Sequence, residues 1–382
     1  MPSRGNQPTI AVDTRSLVGP PTGIGVFTLS MLKALADRGV VRCIGMAHRD
    51  LSCAEELRRA GVEMEAQAAP SGVWWQQLAL PRRLADSEID LLWSPLLTLP
   101  VSNPVPGVVT IHDLTPLLLS GAHQLKVRLS LLPFLASTLR QAGRVAVDSK
   151  ATAEDVKAHF PEAESRIQVV YPGIDPVFVP GHPEAIAATR EELSCPRGYL
   201  LFSGTLEPRK NLSSLLDAWQ ALVETSSAAL PLVITGPYGW KSRRLSSRMQ
   251  ELRPLGLHYL GRLPRDRQVQ VMQAASIFVY PSLYEGFGLP AAEAMACGLP
   301  TIVSNRSSLP EVVGDAGLQV EPDDARQLRE AIAKVADDAG LSRELGERGC
   351  QRARRFTWQK AAGEMEEIFL EILAGSHNLA PR

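Results

Sequence analysis

The 382-residue chain lacks the features of several specialised protein classes. Its 40 Lys and Arg residues nearly balance its 41 Asp and Glu residues, so no basic field argues for nucleic acid. No run of eighteen apolar residues occurs, and the opening MPSRGNQPTIAVDTRSL contains no apolar core of a signal peptide. We therefore expect a cytoplasmic protein that neither spans a membrane nor binds nucleic acid.

Disulfide and metal signatures are missing as well. The five cysteines form no C-x-x-C pair and lie near no histidine pair at zinc-finger spacing. They are Cys43, Cys53, Cys195, Cys297 and Cys350. No D-x-D cluster accompanies the motifs below, and the only Asp pair in range is 323–324. The sequence predicts reduced structural thiols and no bound metal.

The length and the pattern of apolar runs predict two domains. Short apolar runs alternate with segments of helical period, and this alternation restarts after a linker rich in Pro and Gly, VVYPGIDPVFVPGHPEA. Strands are predicted at 9–13, 42–47, 90–95, 107–113 and 144–149, then at 199–204, 230–236, 257–261, 276–282 and 300–305. We predict an α/β protein with two doubly wound Rossmann-like domains, 1–178 and 179–359, facing each other across a cleft.

The stretch YPSLYEGFGLPAAEAMACGLPTIVSN, residues 280–305, is the most informative. Gly286 and Gly288 permit a tight turn, and the free N–H groups of the helix that follows can receive an anion. Glu285 and Glu293 would flank that anion and accept hydrogen bonds from hydroxyl groups. A nucleotide sugar fits, with its diphosphate between two polyols. Capping by Glu285 and dipole complementarity of Glu293 are the simpler structural alternatives.

A second motif, GTLEPRKNL at 204–212, follows the first strand of the second series. Arg209 offers a planar fork and Lys210 a mobile charge, and together they suit a diphosphate. A solvated charge pair is the alternative, and Asn211 could simply cap the next helix.

Two motifs of the first half are weaker. The glycines of GPPTGIG at 19–25 bring backbone N–H groups near a ligand, but the spacing is not G-x-G-x-x-G and the motif lacks a Walker lysine. A plain tight turn is an equal alternative. His112 and Asp113 stand at the end of a predicted strand, where His112 could donate to a sugar or cap the next turn.

Residues 114–147 contain no Asp or Glu but include His123, Lys126, Arg128, Arg140 and Arg144. An apolar and basic segment of this kind suits an anionic membrane surface or a lipid diphosphate. An ordinary packed helix whose cations reach the solvent explains it equally well.

Taken together, the motifs resemble those of the retaining, nucleotide-sugar-dependent glycosyltransferases of family 4, which have the GT-B fold. The resemblance covers essentially the whole chain and rests on GIG, HD, YPGID, EPRKNL and EGFGLPAAE, the last matching the family's E-x7-E signature. It implies catalytic roles for Glu285, His112, Lys210 and Arg209, with His112 on the transferred sugar. It implies a donor site made of Gly23, Gly25, Gly204, Arg209, Lys210, Gly261, Leu263, Glu285, Gly286, Phe287, Gly288, Leu289 and Glu293.

The sequence departs from the family pattern at two positions. Many members have Arg where this chain has Thr205, which would leave the phosphate charge to Arg209 and Lys210. Many read NGVD where this chain reads PGID. The fold also implies a C-terminal helix, FTWQKAAGEMEEIFLEILAG at 356–375, that returns to the first domain with Trp358 as a packing anchor, so residues from about 360 to 382 are assigned to the first domain.

The expected function is transfer of a hexose from a nucleoside diphosphate sugar to a hydroxyl of a glycan or lipid-linked acceptor, with retention and without a metal. The N-terminal segment and GTLEPRKN look most like mannosyltransferases of O-antigen and exopolysaccharide assembly, which favours GDP-mannose over a UDP-sugar. Peripheral contact with the inner membrane is left open. The alternatives are an epimerase or phosphorylase of the same fold, or a non-catalytic nucleotide-sugar-binding protein.

Overall fold

The computed structural model describes residues 7–19, 23–86, 88–118, 125–226 and 229–377. They form two compact units, one up to Gly173 and again from Thr357, the other Ile174–Phe356. The second unit begins at Ile174, whereas the sequence analysis ends the first domain at residue 178. Ile174 donates its backbone N–H to the carbonyl of Phe356 at 3.0 Å, and the ring of Phe178 lies 4.3 Å from the guanidinium of Arg265. Both contacts tie this stretch to the second unit.

Within its described residues, the first unit holds a parallel sheet of seven strands in the order β3-β2-β1-β4-β5-β6-β7. The strands are β1 Thr9–Asp13, β2 Arg42–Ala47, β3 Glu63–Ala66, β4 Leu91–Ser94, β5 Gly107–Ile111, β6 Arg144–Val147 and β7 Ile167–Val169. The helices between them are α1 Gly23–Arg38, α2 Ala54–Arg59, α3 Gly72–Trp74, α4 Leu80–Ala85, α5 Thr115–Leu118, α6 Leu125–Gln141 and α7 Lys150–His159, with a π-helical turn at Trp75–Ala79.

The described residues of the second unit form a parallel sheet of six strands in the order β10-β9-β8-β11-β12-β13. The strands are β8 Leu200–Ser203, β9 Leu232–Thr235, β10 Leu257–Gly261, β11 Ile277–Tyr280, β12 Thr301–Ser304 and β13 Gly317–Val320. The helices are α8 Pro183–Glu192, α9 Leu212–Thr225, α10 Arg243–Leu252, α11 Arg265–Ala274, α12 Leu289–Ala296, α13 Leu309–Val313, α14 Ala325–Asp337 and α15 Ala339–Ala353. Two doubly wound Rossmann-like units confirm the predicted fold class.

The last helix, α16 Trp358–His377, belongs to the first unit. Trp358 is buried and packs edge to face on Phe27 of α1 at a centroid distance of 5.6 Å. A side chain at Gly173 would lie 2.2 Å from the backbone nitrogen of Trp358, so only glycine fits there. The predicted C-terminal helix and its Trp358 anchor are therefore present.

Burial explains which strands the sequence revealed. Central strands such as β8, β9, β11 and β12 are buried at every residue and appear as apolar runs. Strands β3, β7 and β13 were not predicted; they lie at sheet edges, and their residues are mostly half-buried or exposed. β3 carries the polar residues of EMEA, and β7 and β13 are short segments, IQV and GLQV, so none of the three appears as a clear apolar run.

Candidate functional site

A buried ionic cluster lies at the carboxyl ends of β8 and β11, the neighbouring strands at the centre of the second sheet. The loop after β8 contains a short 3₁₀ turn, Pro208–Lys210, which carries Arg209 and Lys210. The loop after β11 contributes Ser282 and Glu285. Parallel strands present their functional groups at this end, as the sequence analysis expected.

Glu285 is the centre of the cluster and is 6% exposed. Lys210 Nζ donates to one carboxylate oxygen at 2.5 Å, and Ser282 lies 2.6 Å from the same oxygen. Arg209 Nη1 donates to the other oxygen at 2.9 Å and to the carbonyl of Tyr284 at 3.0 Å. The structure thus brings together three of the four residues predicted to be catalytic.

The electrostatics of the cluster favour an ionised Glu285. Burial alone would raise the pKa of Glu285, but the charges of Lys210 and Arg209, with hydrogen bonds from Lys210 and Ser282, outweigh burial and lower this pKa to about 2. Lys210 also lies 2.6 Å from the hydroxyl of Tyr280, whose pKa burial raises well above its ordinary value. Tyr280 therefore stays neutral beside the ammonium group.

The turn between Glu285 and α12 is built as the sequence predicts. Gly288 has φ of 98° and precedes the first residue of α12, and a side chain there would lie 2.6 Å from Leu309. Ser308 contacts the turn through its hydroxyl, which lies 3.0 Å from the carbonyl of Glu285 and 2.8 Å from that of Phe287. Both the backbone angle and the contact require glycine at 288, and Leu289 begins the helix.

Glu293 lies about one turn inside α12 and is 6% exposed. Its carboxylate accepts one hydrogen bond from Arg265 at 3.0 Å, and Arg265 also contacts Asp175 at 3.2 Å. Burial raises the pKa of Glu293 to about 7, because the nearby charge of Arg265 offsets only part of the desolvation. A carboxyl group of this kind changes charge near neutral pH.

The remaining predicted donor residues of this unit lie on the same edge of the sheet. Gly204 follows β8 and donates to the carbonyl of Thr235, and Gly261 ends β10 with φ of 68°. Open space surrounds the position of a side chain at Gly261, and Leu263 follows on a half-exposed loop. Phe287 is buried against Phe356 at a centroid distance of 5.1 Å. Phe287 therefore serves packing beneath the turn.

His112 lies in the first unit, just after β5. Its Nδ1 is 2.7 Å from Asp148 and its Nε2 is 3.0 Å from the carbonyl of Pro95, so both ring nitrogens are engaged. Burial alone would lower the pKa of His112, but the charge of Asp148 and both hydrogen bonds raise it. The ring also packs edge to face on Phe27 at 4.6 Å.

The other predicted residues of the first unit have a different setting. Gly23 and Gly25 lie in the first turn of α1, and residues 20–22 of the GPPTGIG motif lie outside the described residues. The basic segment 114–147 lies partly outside the described ranges, since residues 119–124, with His123, fall in a gap. Arg144, near its end, contacts Glu371 of α16 at 3.3 Å.

Several residues of the site were missed by sequence reasoning. Ser282, Glu207 and Arg265 each contact a predicted residue, and Asp148 contacts His112. Asp148 carried a signal, because it directly follows the apolar strand β6, and Glu207 lies within the motif EPRKNL. Asn211, considered as a cap, occupies the N-cap position of α9, but its side chain makes no capping bond to the helix and donates to the carbonyl of Pro322 at 2.7 Å.

The described residues contain neither a cluster of metal ligands nor a helix suited to crossing a membrane. No three His, Cys, Asp or Glu side chains within these ranges are grouped so as to hold a metal ion. None of the helices in the described ranges combines the length and apolarity needed to cross a membrane.

Comparison with known proteins adds independent information. Residues 189–352 match the family model "Glycosyl transferases group 1", and residues 21–178 match "Glycosyltransferase Family 4". The O-antigen chain mannosyltransferase B of Escherichia coli is 29% identical over 364 residues, which cover 91% of this chain and 95% of that protein. The serotype-specific mannosyltransferase WbdA of Escherichia coli is 28% identical over 289 residues, which cover 73% of this chain and 35% of that protein.

A solved structure is similar over nearly the whole chain. The structure of Anabaena Alr3699/HepE in complex with UDP and glucose matches with a TM-score of 0.76 at 19% identity, covering 96% of this chain and 100% of that one. At this identity the likeness concerns the fold.

Proposed function

Because the chain belongs to the group 1 and family 4 glycosyltransferases and is a hexosyltransferase of the GT-B fold, we propose that it transfers mannose from GDP-mannose to a sugar hydroxyl. The acceptor is a glycan or lipid-linked glycan of cell-surface polysaccharide synthesis. Transfer proceeds with retention at the anomeric carbon and without a metal ion. Similarity to O-antigen mannosyltransferases supports the choice of sugar.

The observation that carries the proposal is the clamped carboxylate of Glu285. Two cations from the loop after β8 meet this one side chain at 2.5 and 2.9 Å. Such convergence of positive charge in a buried place suits a group that becomes more negative as a bond breaks. The leaving nucleoside diphosphate is a group of this kind.

In the proposed complex the diphosphate lies at the N-terminus of α12, beside Lys210 and Arg209. The free backbone N–H groups after Gly288 and the two cations would take the developing charge. They would supply the stabilisation that a divalent metal gives in other enzymes. Glu285 would accept hydroxyls of the transferred sugar, and Glu293 those of the ribose.

The same contacts support a reaction without a protein nucleophile. Both oxygens of Glu285 are already bonded to cations, which hold its negative charge and reduce its power to attack carbon. In the proposed route the acceptor hydroxyl attacks from the face that the phosphate leaves. The departing phosphate then accepts the proton of that hydroxyl.

The proposal is tested by calorimetric or thermal-shift binding of GDP-mannose, UDP-glucose, UDP-N-acetylglucosamine, dTDP-rhamnose and the free diphosphates, with and without EDTA. We expect selective stabilisation by GDP-mannose and GDP that EDTA leaves unchanged. Selective binding of a different nucleotide would overturn the donor. Loss of binding in EDTA would overturn the metal-free mechanism, and binding of none would overturn the function itself.

A further inference from the structure

The loop after β8 is fastened to the loop after β9 beyond the end of both strands. Leu206 donates its backbone N–H to the carbonyl of Pro237 at 2.9 Å, and Gly239 donates to the carbonyl of Leu206 at 3.0 Å. A side chain at Gly239 would lie 2.9 Å from Thr205 and 3.1 Å from Glu207. The two loops therefore run in close contact, and this contact brings Trp240 to Glu207.

Glu207 sits between Trp240 and Arg209. One of its carboxylate oxygens accepts from Arg209 Nε at 2.5 Å, and the other accepts from the indole N–H of Trp240 at 3.2 Å. The side chains of Glu207 and Arg209 are only 15% and 18% exposed. The indole therefore fixes the carboxylate, and the carboxylate fixes one edge of the guanidinium.

The opposite part of the guanidinium contacts the buried ionic cluster around Glu285. Arg209 Nη1 donates to Glu285 at 2.9 Å and to the carbonyl of Tyr284 at 3.0 Å. Arg209 thus contacts two carboxylates, that of Glu207 in the loop after β8 and that of Glu285 in the loop after β11. Without Glu207, its charge would be drawn toward Glu285 alone, the group proposed to receive sugar hydroxyls.

From this geometry we infer that Glu207 and Trp240 are positioning residues that hold the guanidinium of Arg209 in place for the leaving diphosphate. The inference rests on the proposed function. A free arginine side chain samples many rotamers, and a cation fixed beforehand stabilises a developing charge without the cost of ordering it during the reaction. Neither residue has to touch the donor to act in this way.

The test compares kcat and KM for GDP-mannose in Glu207→Gln, Trp240→Phe, Arg209→Lys and the double variant Glu207→Gln/Arg209→Lys. Glu207→Gln keeps the size of the side chain but removes its charge, and we expect kcat to fall about ten- to hundredfold, as misplaced catalytic groups do. In Trp240→Phe, which removes the indole N–H together with the five-membered ring, kcat should fall less than in Glu207→Gln. The double variant should be no slower than Arg209→Lys, because Glu207 acts through Arg209.

Glu192→Gln is the matched control. Glu192 accepts from Arg267 at 2.5 Å on the surface of the same unit, and its loss should leave kcat and KM unchanged. If Glu207→Gln retains kcat within about threefold, or if its effect adds fully to that of Arg209→Lys, the inference is wrong although the wild type still transfers sugar. A wild-type protein that neither binds nor uses any nucleotide sugar would overturn the proposed function, and the inference with it.

Discussion

The carboxyl edges of the two sheets hold buried charges in different ways. On the first sheet the acids are paired one to one: Asp13 with Arg15 at 2.6 Å, and Asp148 with His112 at 2.7 Å. On the second sheet, two cations converge on Glu285. Glu207 also pairs with Arg209, so the second edge holds a network of two cations and two carboxylates in which loss of one group disturbs the others, whereas each one-to-one pair on the first edge is complete as it stands.

A second difference lies within the second unit itself. Glu285 and Glu293 are eight positions apart and equally buried, yet their pKa values are about 2 and about 7. Glu285 meets two cations and a hydroxyl, whereas Glu293 receives a single hydrogen bond from Arg265. Environments that separate the pKa values of two carboxyl groups in this way suit them to different roles: Glu285 stays ionised, whereas Glu293 titrates near neutral pH.

Among the variants considered, Lys210→Met should have the largest effect on the contacts of Arg209 and Lys210 with Glu285. It removes the ammonium beside Glu285 and leaves a buried carboxylate with one cation fewer, so we expect kcat to fall about hundred- to thousandfold. Single-turnover kinetics and thermal unfolding measure this change. Lys157→Met is the control, since Lys157 pairs with Glu154 on the surface of the first unit. A Lys210→Met protein of normal stability with kcat within tenfold of wild type would contradict the comparison.

Glu285→Gln tests the central anion with little change of shape. The amide cannot hold both cations as a carboxylate does, and we expect kcat to fall roughly a hundredfold. The variant also loses an acid-sensitive contribution to stability. Because the pKa of Glu285 is lowered to about 2, ionised Glu285 stabilises the fold above about pH 4.5, and this stabilisation is lost as the pH falls toward 2. Urea unfolding at several pH values measures this contribution to stability. A fall in kcat of less than threefold would contradict the proposed role of Glu285.

How far the sequence predicted this molecule depends on burial. The central strands, the E-x7-E turn and the pair Arg209 and Lys210 were predicted, because apolar runs and glycines mark them directly. Edge strand β3 was missed because it carries polar residues, EMEA, and edge strands β7 and β13 were missed because IQV and GLQV are too short to stand out as apolar runs. Partners such as Trp240 and Arg265 were missed because loops distant in sequence bring them to the site, and residue type alone does not show such pairing.

His112 shows the same limit in a predicted residue. The sequence places it at the end of a strand, and the structure agrees. The sequence does not reveal that Asp148 and the carbonyl of Pro95 contact the two ring nitrogens of His112. A role in donating a hydrogen bond to the transferred sugar would compete with those two bonds, so the role of His112 stays a prediction.

Asp148→Asn tests the one-to-one pair at the carboxyl edge of the first sheet, because it removes the charge that pairs with His112. Since the pair is already complete, we expect a loss of stability, about 2 kcal/mol, with kcat within tenfold of wild type. The pKa of His112 is raised in the folded state, so its stabilisation is present below about pH 6.5 and is lost as the pH rises through the folded pKa. The difference between wild type and variant in urea unfolding should therefore be larger at about pH 6 than at about pH 9.

Asp113→Asn is the control for that measurement. The side chain of Asp113 accepts the backbone N–H of Thr115 at 2.9 Å, and asparagine can keep this bond. The charge of Asp113 also raises the pKa of His112, but less than that of Asp148 does, so this variant should show a smaller difference between the two pH values. A hundredfold loss of kcat in Asp148→Asn without loss of stability would mean that the first edge takes part in the reaction as directly as the second.

Glu293→Gln gives the smallest effect and tests the titrating carboxyl group. If ribose hydroxyls bind the ionised form, affinity for GDP should rise about tenfold between about pH 6 and pH 8, because a group with a pKa of about 7 ionises over that interval. Glutamine does not titrate, so the variant should bind GDP with nearly the same affinity at both pH values. Calorimetry measures both proteins, with Glu311→Gln on the adjoining α13 as the control. A wild-type affinity that stays flat, or that falls with rising pH, would mean that the ribose does not bind ionised Glu293.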